Sequence, residues 1–114
     1  MKARRSAALA ALLGTAACAA TVVPAPVASD VPAAQRVAAG SILGELSAGR
    51  RLYVDKCSGC HPLFAPGARS PEEWRTIIEA MRIDAEVELT DAEATAIGAY
   101  LYAIASRSTV APNP

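Results

Sequence analysis

Three residues within five positions carry the strongest chemical signal in the chain: Cys57, Cys60 and His61, in the order Cys-x-x-Cys-His. Two thiols three positions apart can each form a thioether to one vinyl group of the same porphyrin, and the histidine that follows can bind the iron as its proximal ligand. The motif uses two of the three cysteines and the single histidine of the chain. We therefore expect one haem c per chain, attached through Cys57 and Cys60, with His61 on the iron.

Other uses of these three residues agree less well with the sequence. A thioredoxin-like dithiol requires a βαβ pattern, and no strand-rich segment flanks Cys57. A structural zinc site needs four ligands, and the chain has no second Cys/His pair to complete it. A disulfide between Cys57 and Cys60 would close a very small loop and leave His61 without a role.

Residues 1–17 have the parts of a secretory signal peptide. Lys2, Arg4 and Arg5 form a basic start, and residues 7–13 form an apolar stretch that is too short to span a bilayer. Export agrees with haem attachment, which takes place outside the cytoplasm. We therefore expect the mature protein in the periplasm.

The third cysteine, Cys18, follows Thr15-Ala16-Ala17 at the point where a signal peptide would be cleaved. This resembles a bacterial lipobox, in which the cysteine is lipidated and becomes the mature N-terminus, although a larger aliphatic residue is usual at the position of Thr15. Ordinary cleavage within residues 17–20 is the alternative, and it would leave an odd thiol in an oxidising compartment. We expect a lipid anchor at Cys18 that attaches the protein to a membrane.

The charge of the chain argues against several classes of function. Cleavage after residue 17 removes three of the eleven basic residues and none of the eleven acidic ones, which leaves a net acidic protein. No Lys/Arg cluster is large enough to bind a nucleic acid. No group of ionisable side chains is suited to acid–base catalysis. We expect neither a nucleic acid nor a small-molecule substrate as a partner, and no enzymatic activity.

The chain divides by composition into a linker, one small domain and a tail. Residues 18–46 are rich in Pro and Ala and predict an extended linker after the anchor, with a possible short helix within 32–46. Residues 47–107 form the folded part, and 108–114 are expected to be a disordered tail. A core of this size is marginal by itself, so the haem should be structural as well as functional.

Helix signals occur three times in the domain, and no strand pattern occurs, which predicts an all-α fold of three helices wrapped around the haem. The first helix is expected over Ala48–Cys57 with Ser47 as its cap. The second begins after Ser70-Pro71-Glu72-Glu73 and the third after Thr90-Asp91-Ala92-Glu93, both of which are capping boxes.

Met81 continues an apolar stripe of the second helix that begins with Trp74, Ile77 and Ile78. A methionine at such spacing is usually core filler. Here the haem would itself occupy the core, and the chain offers no second histidine to the iron. We therefore expect Met81 to be the sixth ligand, because Met/His is the usual pair of an electron-transfer c-type haem.

The haem motif and the helix patterns on either side together resemble a small class I, monohaem cytochrome c over residues 47–105. In that family the first and last helices cross tightly, and Gly49, Tyr53, Tyr100 and Leu101 stand where this sequence would form the crossing. Met81 matches the axial methionine, although Arg82 rather than proline follows it. The resemblance implies one-electron transfer through the haem.

The sequence thus predicts a membrane-tethered electron carrier that exchanges single electrons with redox proteins of the cell envelope. Two alternatives remain open. If Met81 does not bind the iron, a five-coordinate haem could bind a small gas and act as a sensor. The chain could also be a small c-type subunit of a larger oxidoreductase complex.

Overall fold

The computed structural model describes residues 23–59 and 62–109. These residues form four α-helices, two short 3-10 turns at Ala28–Asp30 and Pro66–Ala68, and no strand within the described ranges. The all-α prediction is confirmed. The helices are α1 (Val31–Ala34), α2 (Leu43–Cys57), α3 (Pro71–Ile83) and α4 (Asp91–Thr109).

Both predicted capping boxes start their helices. At α3, the Ser70 hydroxyl accepts the Glu73 N–H at 3.3 Å, and the Glu73 carboxylate accepts the Ser70 N–H at 2.7 Å. At α4, Thr90 and Glu93 make the same two bonds, at 3.1 and 2.9 Å. Each pair satisfies two backbone donors that the first helical turn leaves without partners.

Helix α2 begins earlier than its sequence pattern predicted, at Leu43 rather than Ala48. Glu45 accepts the Ile42 N–H at 3.2 Å and so closes the first turn. Ser47, which was expected to be the cap, lies inside the helix, and its hydroxyl donates to the Leu43 carbonyl at 3.0 Å. The additional turn places Leu46, which is fully buried, against the side of α4.

Helices α2 and α4 cross at Gly49, in backbone contact. A Cβ atom at Gly49 would lie 2.1 Å from the Ala96 carbonyl oxygen and 3.1 Å from the Tyr100 Cβ. No side chain fits there, so glycine is the residue that this close approach requires. One turn later, the rings of Tyr53 and Tyr100 meet with their centroids 6.5 Å apart. Three of the four residues expected at the helix crossing, Gly49, Tyr53 and Tyr100, therefore form it.

Residues 23–30, which we call the N-terminal strap, lie against α2 and α4. Asp30 is 4% exposed, and its carboxylate accepts hydrogen bonds from Nε of Arg107 at 2.8 Å and from the Val27 N–H at 2.7 Å. Further along the chain, Ala34 packs at 0% exposure with Ala99 and Ala103 of α4. The strap and α1 are thus parts of the packed unit.

The prediction of an extended linker over 18–46 is wrong for the residues that the structure describes. The strap and α1 pack on α2 and α4, and α2 itself begins at Leu43. Composition misses this packing because its contacts use alanine side chains and backbone carbonyls. Cys18 and the signal segment 1–17 lie outside the described residues.

The helix crossing gives a direct test of packing. Gly49→Ala should lower the free energy of unfolding by about 3 kcal/mol, because the added methyl meets backbone that cannot move away. Gly98→Ala in α4 is the matched control, since its Cβ would lie 3.6 Å from the Ile78 side chain, an ordinary contact. The gain in helix propensity should leave this control as stable or up to about 1 kcal/mol more stable. Thermal unfolding of both haem-loaded variants measures the difference, and equal effects would contradict the close crossing.

The ion pair between buried Asp30 and partly exposed Arg107 predicts a pH-dependent contribution to stability. Burial raises the pKa of Asp30, but the hydrogen bonds from Arg107 and Val27 and the charge of Arg107 outweigh it and hold the pKa below its ordinary value. A depressed carboxyl pKa stabilises the fold above the pKa of the unfolded chain, and this stabilisation is lost as the pH falls through the folded value.

Asp30→Asn should therefore lower the free energy of unfolding by about 2 kcal/mol at neutral pH. This value is smaller than for a fully buried ion pair, because Arg107 is partly exposed. The difference in stability between this variant and wild type should close below about pH 4. Melting temperatures between pH 3 and 7 measure it, with Asp55→Asn on the exposed side of α2 as the control. A gap that stays constant with pH would show that the charge of Asp30 contributes nothing.

Candidate haem site

The end of α2 places the first residue of the haem motif at the core. Cys57 is the last residue of the helix and is half-buried. Burial raises the pKa of its thiol when no group is attached to it. Cys60 and His61 lie outside the described residues, and the described chain resumes at Pro62.

An apolar cavity opens beside Cys57, between α2, α3, α4 and the segment that follows the motif. Its volume is about 40 Å³ and it is partly open to solvent, so a bound haem would move the lining side chains apart. Aliphatic, aromatic and sulfur-containing side chains form its entire lining. The lining residues are Tyr53, Cys57, Leu63, Phe64, Trp74, Ile77, Ile78, Met81, Leu89, Ile97 and Leu101.

Helix α3 contributes one continuous face to this cavity. Trp74, Ile77, Ile78 and Met81 recur at intervals of three and four residues, so they share a side of the helix. Met81 is half-buried and lies in the last turns of the helix. The structure therefore brings together Cys57 and Met81, two of the predicted site residues, at the same cavity.

Tyr53 and Trp74 give the cavity apolar surface because their polar atoms are bonded elsewhere. The Tyr53 hydroxyl donates to the Phe64 carbonyl at 2.6 Å, and the Trp74 indole N–H donates to the Pro66 carbonyl at 2.7 Å. The two rings contact edge to face with centroids 5.9 Å apart. These bonds attach the segment that follows the motif to α2 and α3.

The Tyr53 hydroxyl is strongly protected from ionisation. Burial is the main cause that raises the pKa of Tyr53 to about 12, and the nearby Cys57 and Tyr100 add to it. The pKa of Tyr100 is likewise raised to about 12 by burial. Both groups are therefore neutral near pH 7, and Tyr53 adds no charge to the cavity wall.

The donor set of the cavity fits a haem. A porphyrin presents a broad apolar surface, and this lining presents apolar side chains from three helices. Cys57 places a sulfur at one wall, where a thioether would form, and Met81 places a thioether sulfur in another wall, where an axial ligand would come from.

Several residues of the site were not identified from the sequence. Leu63, Phe64 and Leu89 line the cavity from irregular segments, where no periodicity marks a buried side chain. Phe64 is 46% exposed, and the Arg69 guanidinium lies 5.6 Å from its ring centroid. Arg50, one of the basic residues on the helix that leads to the motif, donates to the Val23 carbonyl at 2.9 Å and so holds the strap.

Within the described residues, no helix is both long and apolar enough to cross a membrane. No curated protein and no solved structure matches the chain. The model of a family described as dihaem cytochrome c matches residues 53–113, a stretch that contains the Cys-x-x-Cys-His motif and every residue that lines the cavity. Because this match covers more than half of the 114 residues, the chain belongs to the dihaem cytochrome c family and is a c-type cytochrome.

Proposed function

We propose that this cytochrome is a one-electron carrier of the bacterial cell envelope, with haem attached at Cys57 and Cys60 and with His61 and Met81 as axial ligands. Family membership supports haem binding and electron transfer in general. The observation that carries the finer proposal is the shared cavity: Cys57 and Met81 line the same apolar space next to the motif.

The haem, once attached, supplies the iron couple that accepts and releases one electron. The chain tunes this couple through the side chains around it. Trp74, Ile77 and Leu101 would shield a bound haem from water, and a low-polarity environment disfavours the more highly charged oxidised state. The Met81 thioether acts in the same direction, because a neutral thioether ligand raises the potential relative to a second imidazole.

We propose one haem per chain and not two. The family description names two haems, but these 114 residues contain one Cys-x-x-Cys-His motif and one histidine. After Cys57 and Cys60 are used, the remaining cysteine is Cys18, which has no nearby partner in sequence. A second haem c would therefore have no pair of thiols to attach it.

The place of action that we propose is the periplasmic side of a membrane, with a lipid anchor at Cys18 and redox proteins of the envelope as partners. The signal-like residues 1–17 and the position of Cys18 after them support this proposal. The alternative is a small c-type subunit of a larger oxidoreductase, in which a partner would supply the second haem that the family description names.

The proposed stoichiometry has a direct test in protein made with a working c-type maturation system. The wild-type protein should carry one haem per chain, and this haem should remain bound through denaturation and acid–organic extraction. Intact mass and the absorbance of the pyridine complex measure both properties. The double variant Cys57→Ala/Cys60→Ala should lose the haem, whereas Cys18→Ala should retain it. A second covalent haem, or release of the haem by extraction, would overturn this assignment.

Axial ligation by Met81 is tested by replacing the side chain. Oxidised wild-type protein should show the weak far-red absorption band of an iron–sulfur bond. Met81→Ala should lose this band, bind external ligands and shift to a lower potential while keeping its covalent haem. Ile77→Ala is the matched control, because it removes a similar volume from the same face of α3 without removing a ligand. An unchanged band in Met81→Ala would make Met81 a packing residue.

A further inference from the structure

The N-terminal strap is held to the domain by its backbone. Three successive carbonyls accept hydrogen bonds from three side chains of α2 and α4 that lie far away in sequence. Val23 accepts from Nε of Arg50 at 2.9 Å, Pro24 from the Tyr100 hydroxyl at 2.6 Å, and Ala25 from Nη2 of Arg107 at 3.2 Å. The Val23 side chain also packs against the hydrophobic core.

Asp30 holds the other end of the strap. Its carboxylate is nearly inaccessible to solvent and binds Arg107 through two nitrogens, so the side chain of Arg107 contacts the strap at both Ala25 and Asp30. Separating this pair is costly because the Asp30 carboxylate, 4% exposed, would lose its charged partner, whereas Arg107 is partly open to water. The strap is therefore docked at both ends, through the carbonyls of Val23, Pro24 and Ala25 and through the carboxylate of Asp30, whereas Val27 between them is exposed.

Docking changes the length of chain that is free between the anchor and the domain. Cys18 precedes Val23 by five residues, so their Cα atoms are at most about 18 Å apart. A free linker over 18–46 would contain 29 residues, with a typical end-to-end distance of about 30 Å and a maximum near ~100 Å.

We propose that the docked strap turns the N-terminal segment into a short tether and holds the domain at the bilayer surface, with the Val23 end of the strap toward the lipid. This inference rests on the lipid anchor at Cys18 that the proposed function includes. The kind of partner follows from the tether: a redox protein whose own cofactor lies at or near the same membrane surface. A carrier on a long linker would also reach partners well above the membrane.

The test measures the distance of the haem from the lipid. Lipidated holoprotein is bound to vesicles of phosphatidylcholine and phosphatidylglycerol that contain a trace of headgroup-labelled fluorescent lipid, and the haem quenches this label in a distance-dependent manner. The comparison variant carries a twelve-residue Gly/Ser insertion between Ala20 and Thr21, which lengthens the tether and leaves the strap unchanged. We expect the insertion to reduce quenching at least twofold at equal amounts of bound protein.

A second variant releases the strap instead of lengthening the tether. Asp30→Asn/Tyr100→Phe removes the buried charge and one of the three side-chain groups that donate to the strap carbonyls. Its quenching should fall toward that of the insertion variant. A wild-type optical spectrum of this variant shows that its haem site is intact, and only then is its quenching compared. Asp55→Asn is the control for the change of charge. If this variant does not fold, the insertion variant alone decides the question.

Two failures are distinguishable. Vesicle flotation and the intact mass first establish whether Cys18 carries lipid. Protein that neither floats with vesicles nor carries lipid would overturn the anchor in the proposed function, and the short tether with it. Protein that floats but quenches the label no more than the insertion variant does would overturn the short tether alone.

Discussion

The backbone contact between α2 and α4 at Gly49 is the constraint on which the other features of the fold depend. Because no side chain separates the two helices there, the following turns of α2 lie directly against α4. Tyr53 and Cys57 then come to stand opposite Ile97 and Leu101, which form one side of the cavity. Helix α3 and the segment after the motif form the other sides. A wider crossing would separate Cys57 from the walls that have to enclose its haem.

The cavity also explains how a chain of this size forms a stable core. Its lining is apolar on every side, and such a surface in contact with water would oppose folding. A haem bonded to Cys57 and Cys60 would occupy the cavity and supply the apolar contact area that the short chain lacks. The hydrogen bonds from Tyr53 and Trp74 keep polar atoms out of the lining, so the same contacts serve stability and a low-polarity haem environment.

Local signals in the sequence predicted most of the helices, and long-range contacts account for most of what was missed. The Ser70 and Thr90 boxes act within one turn, so α3 and α4 could be placed in advance. The start of α2 could not, because Ile42 has no side chain that caps a helix. The strap could not be predicted for a different reason. Every residue has a backbone carbonyl, and two of the three donors to the strap carbonyls, Tyr100 and Arg107, lie more than seventy positions away.

At the site, residue types with few other uses were the easiest to predict. The Cys-x-x-Cys-His spacing and the stripe that ends in Met81 identified Cys57 and Met81, which the fold brings to one cavity, whereas Phe64 and Leu89 belong to segments without periodicity. Proton NMR of the reduced holoprotein tests whether this cavity is the haem pocket, through cross-relaxation between haem protons and assigned side chains. A haem in the cavity should show contacts to Trp74, Ile77 and Leu101. Contacts instead to Val37 and Tyr102, in the groove outside the cavity, would place the haem elsewhere.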